Sequence, residues 1–377
     1  MRIALIIERM DPSRGGRETS TAQIAAELAR RGHAVTVLCQ SSRAEIENVS
    51  LRVISTRGLS RAARLRSFVH ETQHALADGA FDVSHAMLPV PGVTVYQLRG
   101  GTRPGVLEAR RRMTRGLGSA VAQLGFALNE HRRLLATLER QVVTGQTLLL
   151  PNSEMIAREI EHYYGRTEGV IVVPNGVSVP DVSQQQREQW RQGGRGQIGV
   201  KDDETVFLTV AKNFRLKGVD WAIRAFGSAF GEGGGNRLVC IGQADAPRFK
   251  RVAETSGVSD RVVFLPATPE IFPWYSAADV CVLLSWHDAA SRVVLEATRW
   301  ALPSITTTYN GAAEALAEGA GIVVERPDSL EAAAEAMRTL ADPDQRRPRI
   351  RACAVAAEAL SLERHVDGLL RAYKTVE

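Results

Sequence analysis

The chain has 377 residues, 44% of them hydrophobic and 24% charged, with a net charge of +5; this is globular composition, longer than one hydrophobic core usually serves, and it predicts two domains. Four scattered cysteines (Cys39, Cys240, Cys281, Cys353) with no CxxC pair argue against a zinc site or disulfide framework and fit a reducing cytoplasm. The apolar run before Glu8 is too short for a signal-peptide core and no stretch reaches the roughly 20 apolar residues of a membrane span, so the expectation is a protein neither secreted nor membrane-spanning.

In chain order, residues 2–7 read as a buried strand, DPSRGGRETS (11–20) as a glycine-rich loop, and TAQIAAELARRGH as a helix that shares Ile24, Ala25 and Leu28 on one face and stops at Gly32. His33 follows that glycine and reads as structural. AVTVLCQ returns as a strand, and this order opens a parallel doubly wound sheet. Further strands are expected at LRVIST, FDVSHAM, GVTVYQL and QTLLLPNS, then a helix at EMIAREIEHYYG and a strand VIVVPNGV that ends in a turn.

Between residues 99 and 140 lie nine arginines (99, 103, 110, 111, 112, 115, 132, 133, 140) against three glutamates, while the rest of the chain is close to neutral. Inside this block, residues 116–129 carry no charge. Two readings stand: a core helix with a solvated basic flank, or an interfacial segment contacting an anionic membrane. No nucleic-acid partner is expected.

The pattern then restarts. TVFLTVA, NRLVCIGQ, RVVFLPA and DVCVLLSW read as strands, separated by helices at GVDWAIRAFGSAFG, RFKRVAETSGV and IFPWYSA and followed by RVVLEATRWA. A second sheet of the same kind ends near GIVVE. The division expected is 1–176, with a last helix from about 360 to 377 packing back on it, and 177–359, with a cleft between the carboxyl ends of the two sheets.

Five motifs in fixed order carry a family resemblance: GG at 15–16, PNGV at 174–177, NFRLKGVD at 213–220, AADVCVLLSWHDAASRVVLEA at 277–297 and NGAAEAL at 310–316. The chain resembles the GT-B glycosyltransferases of glycosyltransferase family 4 over nearly its full length, and within them the enzymes that add a hexose to lipopolysaccharide-core heptose. The resemblance implies an α/β fold of two facing Rossmann-like domains and retaining transfer of a hexose from a nucleotide sugar to a glycan or glycolipid. Of donor nucleotides it implies UDP, with ADP and GDP open. The first domain would then serve the acceptor and the second the nucleotide sugar, in a cytoplasmic enzyme that is peripheral on the inner membrane if the basic block contacts lipid.

The site follows from chemistry and resemblance together. A strand-to-helix passage near residue 289 would turn the backbone N–H groups of Ala289, Ala290, Ser291 and Arg292 toward a diphosphate. By resemblance Asp288, where the family usually has Glu, holds donor-sugar hydroxyls, and Glu296 the ribose hydroxyls. Lys217 and Arg215 would stabilise charge on the departing diphosphate; the resemblance supports Lys217, whereas Leu216 stands where close relatives carry the arginine. Gly15 and Gly16 would bring backbone N–H groups to the donor from the first domain. His85 and Arg99 are the candidates for acceptor contact or base, with a structural role the alternative for His85. No metal or other cofactor is expected: the Asp-x-Asp at 342–344 contains Pro343 and reads as a turn after a helix. Two rivals remain, a sugar-nucleotide epimerase of the same fold and an inactive nucleotide-sugar-binding protein.

Overall fold

The computed structural model describes residues 1–79, 81–114, 129–231, 233–243 and 246–376. The chain divides into two compact units, Met1–Val177 with Ser361–Glu377, and Ser178–Leu360.

The first unit contains strands β1 (Arg2–Ile6), β2 (Arg9–Met10), β3 (Ala34–Cys39), β4 (Ser41–Ser42), β5 (Val49–Val53), β6 (Val83–Ala86), β7 (Val95–Gln97) and β8 (Leu148–Leu150). Helices α1 (Gly16–Arg30), α2 (Arg61–Asp78), α3 (Arg103–Met113), α4 (Glu130–Val143) and α5 (Glu154–Tyr164) accompany them. Six strands form a parallel sheet in the order β5-β3-β1-β6-β7-β8, and β2 pairs with β4 alone. Ile3 and Leu5, one residue apart in the pleat, pack with Ile24 and Leu28 of α1 and with Val366, Leu369 and Tyr373 of the final helix. The α1 helix begins at Gly16, five residues earlier than the sequence suggested, so Gly15 is its N-cap and not the middle of a loop.

The second unit contains β9 (Val206–Val210), β10 (Arg237–Gly242), β11 (Val262–Pro266), β12 (Val280–Leu283), β13 (Ser304–Thr307) and β14 (Gly321–Val324). Its helices are α6 (Gln184–Gln197), α7 (Val219–Phe230), α8 (Pro247–Thr255), α9 (Phe272–Ala277), α10 (Arg292–Arg299), α11 (Leu330–Ala341) and α12 (Pro343–Ala357). The sheet order is β11-β10-β9-β12-β13-β14, all parallel. Alternate residues of β9 serve opposite faces: Phe207 packs with Ile223, Phe226 and Met337, while Val206 and Leu208 pack with Tyr275, Ala297 and Trp300.

Both sheets therefore carry the 3-2-1-4-5-6 strand order, which reverses between β1 and β6 and again between β9 and β12. In such sheets the loops leaving the carboxyl ends of the two switch-point strands diverge and leave a crevice for a ligand. In the second unit those loops run from Ala211 to Gly218 and from Leu284 to Ser291.

The final helix α13 (Leu362–Tyr373) belongs to the first unit. Its entry is fixed by the PNGV motif: Val177 bridges Ser361, and His365 Nδ1 lies 2.6 Å from the Pro174 carbonyl. A Cβ on Gly176 would stand 2.3 Å from the Ser361 carbonyl oxygen, so only glycine lets the two chain segments pass this closely.

Two expectations need correction. VIVVPNGV is not a ladder strand; Ile171 and Val173 each donate one hydrogen bond to the chain at Leu149 and Pro151, and a single bridge joins Val170 to Leu149. The residues 342–344 do not form a turn: Asp342 caps α12, accepting the Asp344 N–H at 2.8 Å, and Pro343 is its first residue. The uncharged run 116–129 and Arg115 lie outside the described residues, apart from Asn129, which caps α4.

Candidate functional site

The two switch-point loops of the second unit are built to meet. Asn213 closes the first: its backbone carbonyl accepts the Lys217 N–H at 3.0 Å and its side-chain Oδ1 the Leu216 N–H at 3.2 Å. The Leu216 carbonyl then accepts the Trp286 N–H at 2.9 Å, tying the first loop to the second. Gly218, at φ 65°, lies so near the end of β12 that a Cβ there would overlap the Leu284 carbonyl oxygen. Glycine at 218 is thus a geometric necessity: it admits the close approach, and the preceding lysine is delivered over the strand end.

That lysine meets the acid singled out from the sequence. Lys217 Nζ is ion-paired and hydrogen-bonded to Asp288 Oδ2, with both side chains largely buried. Asp288 is held from behind by its backbone, donating to the Tyr309 carbonyl at 2.9 Å and accepting the Gly311 N–H at 2.9 Å, a bridge to Asn310. The second acid is equally fixed. Glu296 Oε1 accepts Arg292 Nη2 at 2.8 Å, one helical turn away, and Oε2 accepts the Tyr275 hydroxyl at 3.1 Å. Burial, reinforced by the nearby Glu296 carboxylate, pushes the Tyr275 phenol well above its ordinary range, so it stays a hydrogen-bond donor.

The structure brings Lys217 and Asp288 into contact and sets Arg292 and Glu296 together on α10. Arg215 is exposed on the same loop as Lys217. The segment 288–291 departs from expectation, since the helix begins at Arg292 and not near 289. Glu296 is accordingly only in the second turn. The Ser291 N–H donates to Asn310 Oδ1 at 3.2 Å and is committed within the protein, so Ser291 does not supply a free amide. Ala289 and Ala290 are buried.

Asn310 is a residue that sequence reasoning missed as part of the site. Its Oδ1 also accepts the Ala312 N–H at 3.1 Å, and its amide donates to Thr306 Oγ1 at 2.9 Å. An asparagine directly before Gly-Ala-Ala is a capping signal, and that signal was legible. Tyr275, hidden in IFPWYSA, had no such sign.

In the first unit the candidates are differently placed. Gly15 has an extended backbone, φ 162°, which any residue adopts, and its carbonyl accepts the Thr19 N–H at 3.1 Å. Gly16 opens the fifteen-residue α1, so the GG pair forms a helix N-terminus with its positive dipole end. Arg99 reaches back to that helix, donating to Ser20 Oγ and, at 3.3 Å, to Thr21 Oγ1. His85 is fully buried on β6, with Nδ1 2.6 Å from the Tyr373 hydroxyl. Burial, with Arg99 and His365 nearby, lowers its pKa to about 3. A neutral imidazole sealed between a central strand and the final helix is a packing element, and the base assignment drawn from its strand-end position does not suit this burial.

Among the described residues no group of three or more His, Cys, Asp or Glu side chains is gathered as metal ligands, and no helix is long and apolar enough to cross a membrane. All four cysteines are buried and free, and burial raises Cys281 and Cys353 to about 12, which leaves them unreactive thiols at neutral pH.

Comparison with known proteins agrees with this fold. The family model described as "Glycosyl transferases group 1" matches residues 204–342, and "Glycosyltransferase Family 4" matches residues 14–179. The lipopolysaccharide glucosyltransferase WaaG of Escherichia coli is 28% identical over 335 residues, covering 86% of this chain and 85% of that one. A D-inositol 3-phosphate glycosyltransferase of Geodermatophilus obscurus is 27% identical over 392 residues, covering 95% and 84%. Among solved structures, that of WaaG superposes with a TM-score of 0.80 at 23% identity, covering 99% of both chains. Anabaena HepE in complex with UDP and glucose gives 0.75 at 17% identity, covering 100% of each.

Proposed function

Given that the chain belongs to glycosyltransferase family 4 and is built as the two Rossmann-like halves of the GT-B fold, we propose that it is a retaining hexosyltransferase using a nucleotide sugar, UDP-linked, and a glycan or glycolipid acceptor. The observation that carries this reading is the Lys217–Asp288 pair on the two switch-point loops, with Glu296 fixed by Arg292 and Tyr275 beyond it.

Each residue has a task in that reaction. Lys217, with the exposed Arg215, faces the diphosphate and offsets the charge that grows on its bridging oxygen as the bond to the sugar breaks. Asp288 accepts hydroxyls of the donor sugar. Glu296, both oxygens already oriented, keeps lone pairs for the ribose hydroxyls. Ala289, Ala290 and Arg292 line the phosphate path, and the first unit, with the Gly15–Gly16 helix start, recognises the acceptor.

The bond from the sugar's anomeric carbon to the diphosphate breaks, the acceptor oxygen bonds to that carbon on the same face, and the acceptor proton passes to the leaving phosphate oxygen. No enzymic carboxylate nucleophile enters this route. Its charge stabilisation comes from side-chain cations, and the reaction is proposed to proceed without a metal.

The relative named as a lipopolysaccharide glucosyltransferase supports a lipopolysaccharide-core acceptor. Relatives named as D-inositol 3-phosphate glycosyltransferases, matching over 95% of the chain, favour a phosphorylated cyclitol as the second reading. The test is incubation with UDP-, ADP- and GDP-hexoses, with and without each acceptor. Product glycoside of unchanged anomeric configuration supports the proposal. Nucleotide release without acceptor points to an epimerase, and donor binding without turnover to an inactive binding protein.

A further inference from the structure

The second unit has another cavity, about 350 Å³, at the opposite edge of its sheet. Asp279, on its wall, immediately precedes β12 and accepts the N–H of Val206, the first residue of β9, at 2.9 Å. The cavity thus sits at the amino ends of the strands whose carboxyl ends carry Lys217 and Asp288. Four to five residues of strand separate the two places, roughly 15 Å at about 3.3 Å per residue.

Its charge does not balance. Arg187, Arg191 and Arg346 line it, with Glu188 and Asp279. Asp279 is fully engaged: Oδ1 takes Arg191 Nη2 at 3.0 Å, and Oδ2 takes Arg195 Nη1 at 3.0 Å besides the Val206 amide. Glu188 accepts the Gln192 amide at 2.9 Å. Arg346 uses only Nη1, donating to the Leu340 and Ala341 carbonyls at the end of α11. Arg187 lies over the Trp300 ring, 3.8 Å from its centroid, and has no carboxylate partner among the described residues. Arg187 and Arg346 thus reach the cavity without an ion pair among the described residues, and three guanidinium groups of the lining face two carboxylates. Burial, opposed by Asp279 and Asp342 and aided by Arg191 and Arg195, lowers the proton affinity of Arg346.

We propose that this cavity is a binding site for a phosphate-bearing small molecule, its phosphate held between Arg187 and Arg346. A phosphomonoester near neutral pH carries a charge of about −1.5 to −2 and can accept hydrogen bonds from both guanidinium groups. Guanidinium forks also fit phosphate oxygens in pairs. The remaining lining is mixed: Gln184, the Glu188 carboxylate and Ser276 offer hydrogen bonds to hydroxyls beside apolar Ala301, Leu302 and Ile350, and the volume admits a compact polyol along with the phosphate. The Trp300 indole, its Nε1 donating to Ser276 Oγ at 3.1 Å, forms a rigid floor.

The test is calorimetric titration with inorganic phosphate and, separately, a hexose 6-phosphate, in buffer free of other polyvalent anions. The proteins are the wild type, Arg187→Gln, Arg187→Gln with Arg346→Gln, and Lys217→Ala. Saturable binding is expected in the wild type and, within twofold, in Lys217→Ala. Arg187→Gln should weaken it at least fivefold and the double variant at least tenfold, with unchanged circular dichroism. Arg187→Gln removes only the ring contact, so it reads out even where the double variant fails to fold. Tighter binding of the hexose phosphate identifies an esterified ligand, and the reverse order the free ion. Absence of saturable binding in the wild type overturns the proposal, and so does binding lost in Lys217→Ala but kept in Arg187→Gln, which would put the anion at the donor loops.

Discussion

Gly218 and Tyr275 show how single residues set the site. Gly218 combines a positive φ with a backbone approach that leaves no room for a Cβ. Gly218→Ala should therefore destabilise the protein by about 2 to 3 kcal/mol, combining left-handed strain with the clash. For a unit of this size that lowers the melting temperature by roughly 5–10 °C, measurable by calorimetry; an unchanged transition would mean the loop moves freely. Tyr275 acts through Glu296, so it is a positioning residue. Tyr275→Phe should raise the donor KM about fivefold, the value of one hydrogen bond of about 1 kcal/mol, with kcat nearly unchanged. A fall in kcat at constant KM would contradict the ribose assignment of Glu296.

At the scale of elements, the β6–final helix contact carries a pH dependence. His85 is neutral in the fold with a pKa lowered to about 3, whereas in the unfolded chain it takes a proton near 6.5. Its contribution is complete above about pH 6.5 and is lost as pH falls from there toward 3, at up to about 1.4 kcal/mol per unit. Urea melts between pH 6.5 and 4.5 should show a flatter slope for His85→Gln, which keeps a partner for Tyr373 but does not titrate. Parallel slopes would mean the histidine is accessible to protons in the fold. The elements the sequence revealed are those with apolar periodicity, such as β1, β9 and α7. Those it hid are held by polar groups. Helix α6, QQQREQWRQGGRGQ, anchors through buried Arg195 on Asp279, and Gly194 packs on Ala277. Strand β13, SITT, buries Thr306 and Thr307 by donating their hydroxyls to the Leu283 and Ser285 carbonyls. Neither pattern has a hydrophobic signature. The site divides in the same way: Lys217, Asp288, Glu296 and Asn310 stood in legible motifs, although the contacts of Asn310 with the 288–291 loop did not show there, whereas Tyr275 acts through a contact distant in sequence.

For the whole molecule, charge distribution decides where the enzyme would work. Arg110, Arg111 and Arg112 are exposed at the end of α3, where Arg111 and Arg112 lie 3.7 and 3.4 Å from Glu108. Arginines that reach an anionic bilayer are worth up to about 1 kcal/mol each, screened over a Debye length of roughly 8 Å. Co-sedimentation with anionic vesicles should fall with salt and be abolished by replacing Arg110, Arg111, Arg112 and Arg115 with Gln, with neutral vesicles inert throughout. Equal binding to both lipids would leave the basic block to the fold or to an acceptor. Excess EDTA should leave transfer intact if, as proposed, Lys217 and Arg215 supply the positive charge at the diphosphate; activity lost and restored by magnesium or manganese would overturn that.

The central claim, that Lys217 and Glu296 hold different parts of one nucleotide sugar, is tested most directly by steady-state kinetics of Lys217→Ala and Glu296→Ala with the donor that turns over. Charge on the diphosphate grows only as the bond breaks, while ribose contacts exist before it does. Lys217→Ala should thus lower kcat by about 100-fold or more with a smaller change in KM, and Glu296→Ala should raise the donor KM by about tenfold or more with kcat largely kept. Unchanged kinetics in both variants, or the two effects exchanged between them, would contradict it.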